Sequence, residues 1–325
     1  MRSLVITIVG VSLSVAPSFI SAAAENQSPR QLNVEAKIPR SGFDVAFGFE
    51  ALWMMADGRL VKVDPADNTA VDIEIPVGEN AGSLTAVDSY RGIAVGEGAV
   101  WITDLVASAI YKIDPQTTEI ELTIPTDIFG GDGSIGVGEG SVWVITFEDH
   151  NKTLTRYDAL DGSEVTRIDL PRASNGVLVA YGSVWVTATS APELYRIDPR
   201  TNTVAGVTAT HGPSDDLASG AGSIWIPFES DGTVQRIDGR TGEVIATIPT
   251  GIGSAESGGD IAVGGGFVWV ITRESTLARI DMASNLARGI FQPAPGTLMG
   301  RRVRYGAGSL WISGPSIFRI SQPSK

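Results

Sequence analysis

Residues 260–281 read DIAVGGGFVWVITRESTLARID, and this stretch decides the fold. Asp260 and an apolar run at 261–263 are followed by three glycines, a second run at 267–271 that contains Trp269, and a third run at 277–281. Short β-branched and aromatic runs between glycine-rich turns are typical of β-strands. The stretch therefore predicts three consecutive strands. Residues 244–249, VIATIP, show the pattern of a fourth strand in the preceding unit.

The tryptophans repeat this unit along the chain. They are separated by 48, 42, 42, 40, 44 and 42 residues, and they are Trp53, Trp101, Trp143, Trp185, Trp225, Trp269 and Trp311. A fixed period of about 40 residues indicates a repeat fold with one supersecondary unit per period. Seven units of four short strands predict an all-β protein, a seven-bladed β-propeller of four-stranded antiparallel blades. We interpret the tryptophans as core residues between blades, rather than as an aromatic ligand cage.

The two chain ends predict how the ring closes. After Trp311 only a third strand follows, around residues 318–320, so the last blade lacks its fourth strand. Residues 34–39, VEAKIP, resemble the fourth-strand pattern of residues 244–249. We therefore predict that the N-terminal strand completes the last blade and covers strand edges that would otherwise be exposed.

The first 24 residues have the pattern of a secretory signal peptide. Arg2 precedes an apolar run at residues 4–15, and small residues follow at 21–24. This order is typical of a cleaved signal, and the run is short for a membrane span. We expect residues 25–325 to form a single propeller domain without membrane insertion, in the periplasm or outside the cell. Cysteine is absent, which excludes disulfides and thiolate metal sites, and the net charge of -13 argues against nucleic-acid binding.

The residues just before the innermost strands predict a binding site at the mouth of the channel. Four neighbouring blades place charged residues there, while the other three place Gly92, Ser134 and Gly176. The charged arc consists of Asp44, Asp216, Asp260 and Arg302. We expect this arc to bind the ligand, and its three aspartates could hold Ca²⁺ or Mg²⁺, which prefer oxygen ligands. Two alternatives remain open: Arg302 pairs with the aspartates, or the aspartates cap turns.

The long loops on the same face carry further candidates. Turns between second and third strands hold Glu148, His150, Glu229 and Glu274, and His211 also falls on this face. Histidine is the commonest general base near neutral pH, so these residues are the catalytic candidates of the chain. Residues 78–91 form a long loop that could build a rim around the site, and Arg91 at its end is a further ligand-binding candidate.

The repeated pattern G-x-G-x-V-W-V, R-I-D-P-x-T and I-P-x-G resembles the YVTN-type repeat propellers of secreted bacterial proteins. It is also similar to the virginiamycin B lyase group, over essentially residues 33–320. The second resemblance implies catalysis by a histidine with glutamates and Mg²⁺. Glu148, Glu229 and Glu274 match the acid that ends the tryptophan strand in that group. The positions immediately before the innermost strands hold Asp, Arg, Gly or Ser here, whereas the group has a histidine at one of them.

We therefore predict a non-catalytic scaffold that binds a small molecule or another periplasmic protein through its loop face. The alternative is a metal-assisted lyase or hydrolase at the channel mouth, which would use the acidic groups with His150 or His211. A third interpretation, a redox-partner subunit, has no cofactor motif in the chain. The motifs are specific for the fold, and function has to be read from the site.

Overall fold

The structure, a computed structural model, describes residues 28–56, 59–75, 92–105, 107–126, 134–148, 151–172, 174–228, 230–252 and 259–323. The predicted signal peptide, residues 1–24, lies outside the described residues. Within them the chain forms 29 strands and no helix, arranged as seven antiparallel blades. Each blade has its tryptophan on the second strand. The structure confirms the predicted seven-bladed β-propeller.

The first four blades follow one another along the chain. Blade 1 contains β3 (Gly42–Gly48), β4 (Ala51–Ala56), β5 (Arg59–Val63) and β6 (Ala70–Ile73). Blade 2 contains β7 (Ile93–Gly96), β8 (Ala99–Asp104), β9 (Ala109–Ile113) and β10 (Ile120–Pro125). Blade 3 contains β11 (Ile135–Gly138), β12 (Ser141–Glu148), β13 (Asn151–Asp158) and β14 (Glu164–Asp169). Blade 4 contains β15 (Ser174–Ala180), β16 (Ser183–Ala188), β17 (Glu193–Asp198) and β18 (Thr203–Ala209).

The last three blades include the two N-terminal strands. Blade 5 contains β19 (Ala218–Gly220), β20 (Ser223–Phe228), β21 (Thr233–Asp238) and β22 (Val244–Pro249). Blade 6 contains β23 (Asp260–Gly264), β24 (Phe267–Ile271), β25 (Leu277–Asp281), β26 (Leu286–Gln292) and, at its outer edge, β1 (Arg30–Gln31). Blade 7 contains β27 (Arg302–Gly306), β28 (Ser309–Ser313), β29 (Ile317–Ser321) and β2 (Val34–Ile38).

The ring closes in blade 7 as the sequence predicts. Strand β2 pairs antiparallel with β29, with Val34 opposite Ile320 and Ile38 opposite Ile317. The innermost strands contact one another in order around the axis, and β27 of blade 7 contacts β3 of blade 1. One feature of the N-terminus was not predicted. Strand β1 adds to blade 6 in parallel, and Arg30 lies 4.6 Å above the ring of Phe291.

The seven tryptophans lie between blades, as interpreted from the sequence. All of them are fully buried, and each indole nitrogen donates a hydrogen bond to a backbone oxygen five residues earlier. On the third strand, a cation stands directly opposite each tryptophan. These residues are Lys62, Lys112, Arg156, Arg196, Arg236, Arg279 and Arg319.

In six blades this cation also ties its blade to the next one. Arg236 lies 4.9 Å above the ring of Trp225 and donates a 2.8 Å hydrogen bond to the backbone oxygen of Met282 in blade 6. Equivalent bonds reach the carbonyl oxygens of Pro65, Pro115, Pro199, Arg240 and Pro323. We call this unit the tryptophan–cation clamp. In five of these six blades the cation also lies over the tryptophan ring of its own blade, and the charged hydrogen bond joins the neighbouring blades on the short-turn face.

None of the described residues belongs to a helix that is long and apolar enough to cross a membrane.

Candidate functional site

The structure brings the four residues of the predicted arc together in one ion-pair network. Arg302 Nη1 lies 2.8 Å from Asp216 Oδ1 and Arg302 Nε lies 3.9 Å from Asp44 Oδ1. Arg302 begins the innermost strand of blade 7, while Asp216 and Asp44 belong to the innermost parts of blades 5 and 1. The guanidinium group of Arg302 therefore reaches past blade 6. This geometry agrees with one of the two alternatives left open in the sequence analysis, namely that Arg302 pairs with the aspartates.

Asp260 takes part through a second arginine. Its Oδ2 accepts a hydrogen bond from Arg304 Nη1. The same oxygen accepts a 3.0 Å hydrogen bond from the backbone nitrogen of Val303. Its Oδ1 accepts a 2.9 Å bond from the backbone nitrogen of Ile261. Only 4% of the Asp260 side chain is exposed. Asp260 thus fixes blade 6 to blade 7, and together with Asp44, Asp216, Arg302 and Arg304 it forms what we call the channel network.

Arg304 is a site residue that the sequence reasoning missed. It stands opposite Trp311 on the innermost strand, at a register position where the other six blades carry small or aliphatic residues. Those residues are Ala46, Ala94, Gly136, Leu178, Ala218 and Ala262. The sequence does show this charge, because Arg304 lies two residues after Arg302, the blade 7 member of the predicted arc. A charged residue at this position marks blade 7 as the cationic side of the channel.

Burial and charge shift the ionisation of this network. Desolvation raises the pKa of Asp216 to about 7; the Arg302 charge opposes this shift and the Asp260 charge adds to it. Burial alone would lower the pKa of Arg302, but the charges of Asp216, Asp260 and Asp44 outweigh it and hold that pKa above its usual value. Perturbed ionisable groups in a cleft are characteristic of binding and catalytic sites.

The shift at Asp216 predicts a pH-dependent stability. Because the pKa is about 7 in the folded chain and about 3.9 in an unfolded one, the folded state binds the extra proton between these values. The wild-type protein should therefore lose stability relative to Asp216→Asn as the pH rises from about 4 to about 7, and the difference should level off above that. Urea unfolding of both proteins across this range measures the difference. A flat difference would contradict the raised pKa.

The carboxylates of the arc do not form a ready-made cation site. Among the residues that the structure describes, no three Asp, Glu or His side chains gather closely enough to hold a metal ion. Each of the three aspartates faces an arginine instead. This geometry does not fit the Ca²⁺ or Mg²⁺ site expected from Asp44, Asp216 and Asp260, and the metal-binding role of these residues stays an untested expectation.

A cavity opens between blades 5 and 6 on the loop face. Its volume is about 30 Å³. Phe228, Ile252, Val270 and Ile271 supply apolar walls, and Asp260 lines one side. Because Asp260 also holds Arg304, the cavity and the channel network share a wall. We call this space the blade 5–6 cavity; the sequence analysis did not predict it.

His211 lies beside this cavity and has a partner that the sequence could not assign. Its Nε2 is 2.5 Å from Asp231 Oδ2, and its ring meets Phe228 edge to face at 5.8 Å between centroids. Asp231 is oriented by Thr233, whose backbone nitrogen and hydroxyl both donate to Oδ1. A histidine oriented by a carboxylate is the arrangement of a general base, although 47% of the His211 side chain is exposed.

The remaining candidates are scattered or outside the described residues. Glu274 is exposed in the turn after β24, and Glu148 ends β12, where its backbone pairs with Asn151. His150, Glu229 and Arg91 lie outside the described residues. The predicted catalytic and ligand-binding roles of these five residues stay predictions.

The fold is shared with proteins of different function. A structure described as a streptogramin B lyase matches with a TM-score of 0.71 and 18% identity, covering 90% of this chain and 96% of that one. A catalytically inactive virginiamycin B lyase from Staphylococcus aureus, solved with quinupristin, gives 0.70 and 16%, over 90% and 99%. A chain of a mitotic checkpoint complex gives 0.71 at 7% identity, over 96% and 99%. No protein-family model and no curated protein matches the chain.

The resemblance to the virginiamycin B lyase propellers therefore holds at the level of the fold. The chain superposes equally well on a streptogramin B lyase and on a chain of a mitotic checkpoint complex, and its sequence identity to each is below 20%. Because unrelated functions share this architecture, the likeness decides no activity.

Proposed function

We propose that this protein is a non-catalytic binding protein that holds a small polar ligand at the mouth of its channel, on the loop face. The channel network supports this proposal. Asp44, Asp216 and Arg302 keep 28%, 19% and 27% of their side chains exposed, so a ligand can contact them. They are fixed at the innermost parts of three blades, which provides the preorganisation that a binding site requires.

The charges of the network indicate the ligand's chemistry. Three carboxylates face two guanidinium groups, so the site offers acceptors as well as donors. The 3.9 Å separation of Arg302 Nε and Asp44 Oδ1 is too long for a hydrogen bond. A ligand that carries both donors and acceptors complements this set of charged groups. A zwitterion or a polyhydroxylated cation has that character.

The location of the protein is part of the same proposal. The charged start, apolar run and small residues of segment 1–24 support export, with residues 25–325 as the mature domain. A chain without cysteine suits an oxidising compartment, since it has no thiol to protect. The ligand or partner would then be an extracytoplasmic molecule.

A hydrolase or lyase is the second candidate, and the His211–Asp231 pair favours it. The imidazole of His211 is oriented by a carboxylate and packs against Phe228, which lines the blade 5–6 cavity. Proton abstraction by such a histidine is a recognised route to both reaction types. The described carboxylates do not provide a three-ligand Mg²⁺ site, so this candidate rests on the histidine alone.

A ligand screen with matched variants tests the two candidates. Amino acids, betaines and polyamines would be screened against the mature protein by thermal shift, and calorimetry would measure the affinity of each hit. Arg302→Gln combined with Asp216→Asn removes both charges of the pair and should weaken binding of such a ligand at least about tenfold, because one hydrogen bond to a charged group contributes about 1.5–3 kcal/mol. The exposed Arg240→Gln is the control.

Two results would contradict the proposal. Equal affinity in the double variant and in the control would place the ligand elsewhere. Chemical conversion of a bound ligand, lost on His211→Gln, would establish the enzymatic candidate instead.

A further inference from the structure

We infer that the short-turn face of the propeller is the contact surface of a symmetric dimer, in which a second copy of this chain docks face to face. The short-turn face holds the turns between the first and second strands and between the third and fourth strands of the blades. All of these turns belong to the residues that the structure describes. The inference goes beyond the proposed function, because such a dimer leaves the loop face of both copies open to a ligand.

The turns of this face are short and nearly equal in length, which makes the face flat. The turn between the first and second strands has two residues in every blade, and the turn between the third and fourth strands has four to six residues in blades 1–6. By contrast, the connection from β6 to β7 on the loop face spans residues 74–92. A specific interface buries about 800 Å² on each partner, and a flat surface can match its own copy over such an area.

Exposed carboxylates are concentrated in the part of this face that blades 1–3 form. Within the described residues, none of these carboxylates has an ion-pair partner. The turns between the first and second strands of blades 4–7 carry no charged residue at all. The exposed carboxylates in the turns of blades 1–3 are those of Glu50, Asp64, Asp67, Glu97, Glu119, Glu139 and Asp161.

Exposed arginines take the place of these acids in blades 4–6. Arg200 and Arg240 stand at the same position of their turns, and the Arg200 side chain is 87% exposed and pairs with Asp198 of its own turn. Arg240 and Arg288 are exposed and form no ion pair within the described residues. In the described turns of these three blades, only Glu243 is an exposed carboxylate. At the position of Arg200 and Arg240, the other blades with this turn carry the uncharged residues Ala66, Gln116, Leu160 and Ala283.

A two-fold axis in the plane of the face matches the acidic half to the basic half. An axis that passes over blade 7 and between blades 3 and 4 exchanges blade 1 with blade 6, blade 2 with blade 5 and blade 3 with blade 4. An isologous contact makes each pairing twice, so both halves of both copies are matched. With a net charge of -13 on each chain, this orientation reduces the repulsion between copies. The pairs brought together are Asp67 with Arg288, Glu119 with Arg240, and Asp161 with Arg200.

Exposed apolar side chains on the same face add to the contact. Leu160, in the second turn of blade 3, is 83% exposed, and Phe49 and Tyr181, in the first turns of blades 1 and 4, are 42% and 44% exposed. In the dimer, Leu160 faces the turn of blade 4 in the other copy, where the aliphatic stem of Arg200 can cover it. Burial of these groups supplies affinity, while the charges fix the orientation.

Sedimentation velocity of the mature protein tests the dimer directly. We expect the average mass to rise from that of a monomer toward that of a dimer as the protein concentration increases. Association should weaken at least about tenfold between about 0.05 M and about 0.5 M salt, because salt screens exposed ion pairs. A monomer at the highest soluble concentration in low salt, or association that salt does not weaken, would overturn the inference.

Charge reversals on the two halves test the orientation. Arg200→Glu with Arg240→Glu reverses the basic half, and Asp161→Arg with Glu119→Arg reverses the acidic half. Each double variant alters four contacts of the dimer and should weaken self-association at least about tenfold, since like charges then face each other. An equimolar mixture of the two variants should associate again, as a heterodimer in which every altered contact has opposite charges.

A matched control and a second variant pair keep this test decisive. Arg172→Glu with Arg273→Glu makes the same change of net charge at exposed positions of the loop face and should leave self-association unchanged. If a double variant fails to fold, the single substitutions Arg200→Glu and Asp161→Arg, mixed in the same way, give the same decision. Self-association that survives either reversal, or a mixture of folded variants that stays monomeric, would overturn the inference.

Discussion

Replacement of Trp185 by alanine is expected to lower the free energy of unfolding by about 3–5 kcal/mol, the usual cost of truncating a large buried aromatic. Trp185 is fully buried in a cluster with Leu194 and with Ile224 and Ile226 of the next blade. Its indole nitrogen donates to the oxygen of Ala180 at 3.2 Å. The substitution therefore leaves a cavity between blades 4 and 5 and removes the indole hydrogen bond to the oxygen of Ala180. Urea unfolding followed by circular dichroism measures the loss.

Two controls accompany this prediction. Trp185→Phe keeps most of the ring and should cost less than the alanine variant. Leu160→Ala removes a side chain that is 83% exposed and should change stability by no more than about 0.5 kcal/mol. If Trp185→Ala behaved like Leu160→Ala, the tryptophans would not be the inter-blade core.

Removal of residues 25–40 is expected to make the protein aggregate. The deletion takes away β1 and β2, so it uncovers the edges of β26 and β29. It also removes Leu32 and Ile38, both of them buried. An unpaired strand edge beside an exposed apolar surface is a template for association between chains. Size-exclusion chromatography with light scattering measures the monomer fraction, and a monomeric truncated protein with an unchanged Tm would refute the closure.

Shorter deletions separate the contributions of the two strands. Removal of residues 25–29 leaves both strands in place and should have no effect. Removal of residues 25–32 takes away β1 and the buried Leu32 but leaves β2 on blade 7, so it should lower Tm without causing aggregation.

The sequence predicts the ring because its signals are local. Each tryptophan occupies the same register of the second strand, and residues 34–39 carry the fourth-strand pattern that blade 7 lacks. Strand β1 was missed because it has two residues, pairs in parallel, and shows no alternation of its own. Two residues are too few to carry a periodic signal.

Only those site residues that can be aligned by strand register between blades are predicted from the sequence. Alignment of the innermost strands places Asp44, Asp216 and Arg302 on one arc, and the structure brings them together. The bond between His211 and Asp231 depends on the course of two loops, which no repeat pattern encodes. The blade 5–6 cavity depends on how the side chains of two neighbouring blades pack against each other. This packing cannot be read from the residue types alone.

The tryptophan–cation clamp has a consequence for how this molecule can diversify. Each clamp ends on a main-chain carbonyl oxygen, such as that of Met282 or Pro65, and every amino acid presents this group. The turn that supplies this oxygen can therefore change its side chains without losing the hydrogen bond to the preceding blade. In six of the seven blades a clamp joins the blade to the next one at the short-turn face, away from the loop face. The opposite rim is free to vary in length and chemistry, so new recognition can arise there while assembly of the ring is preserved.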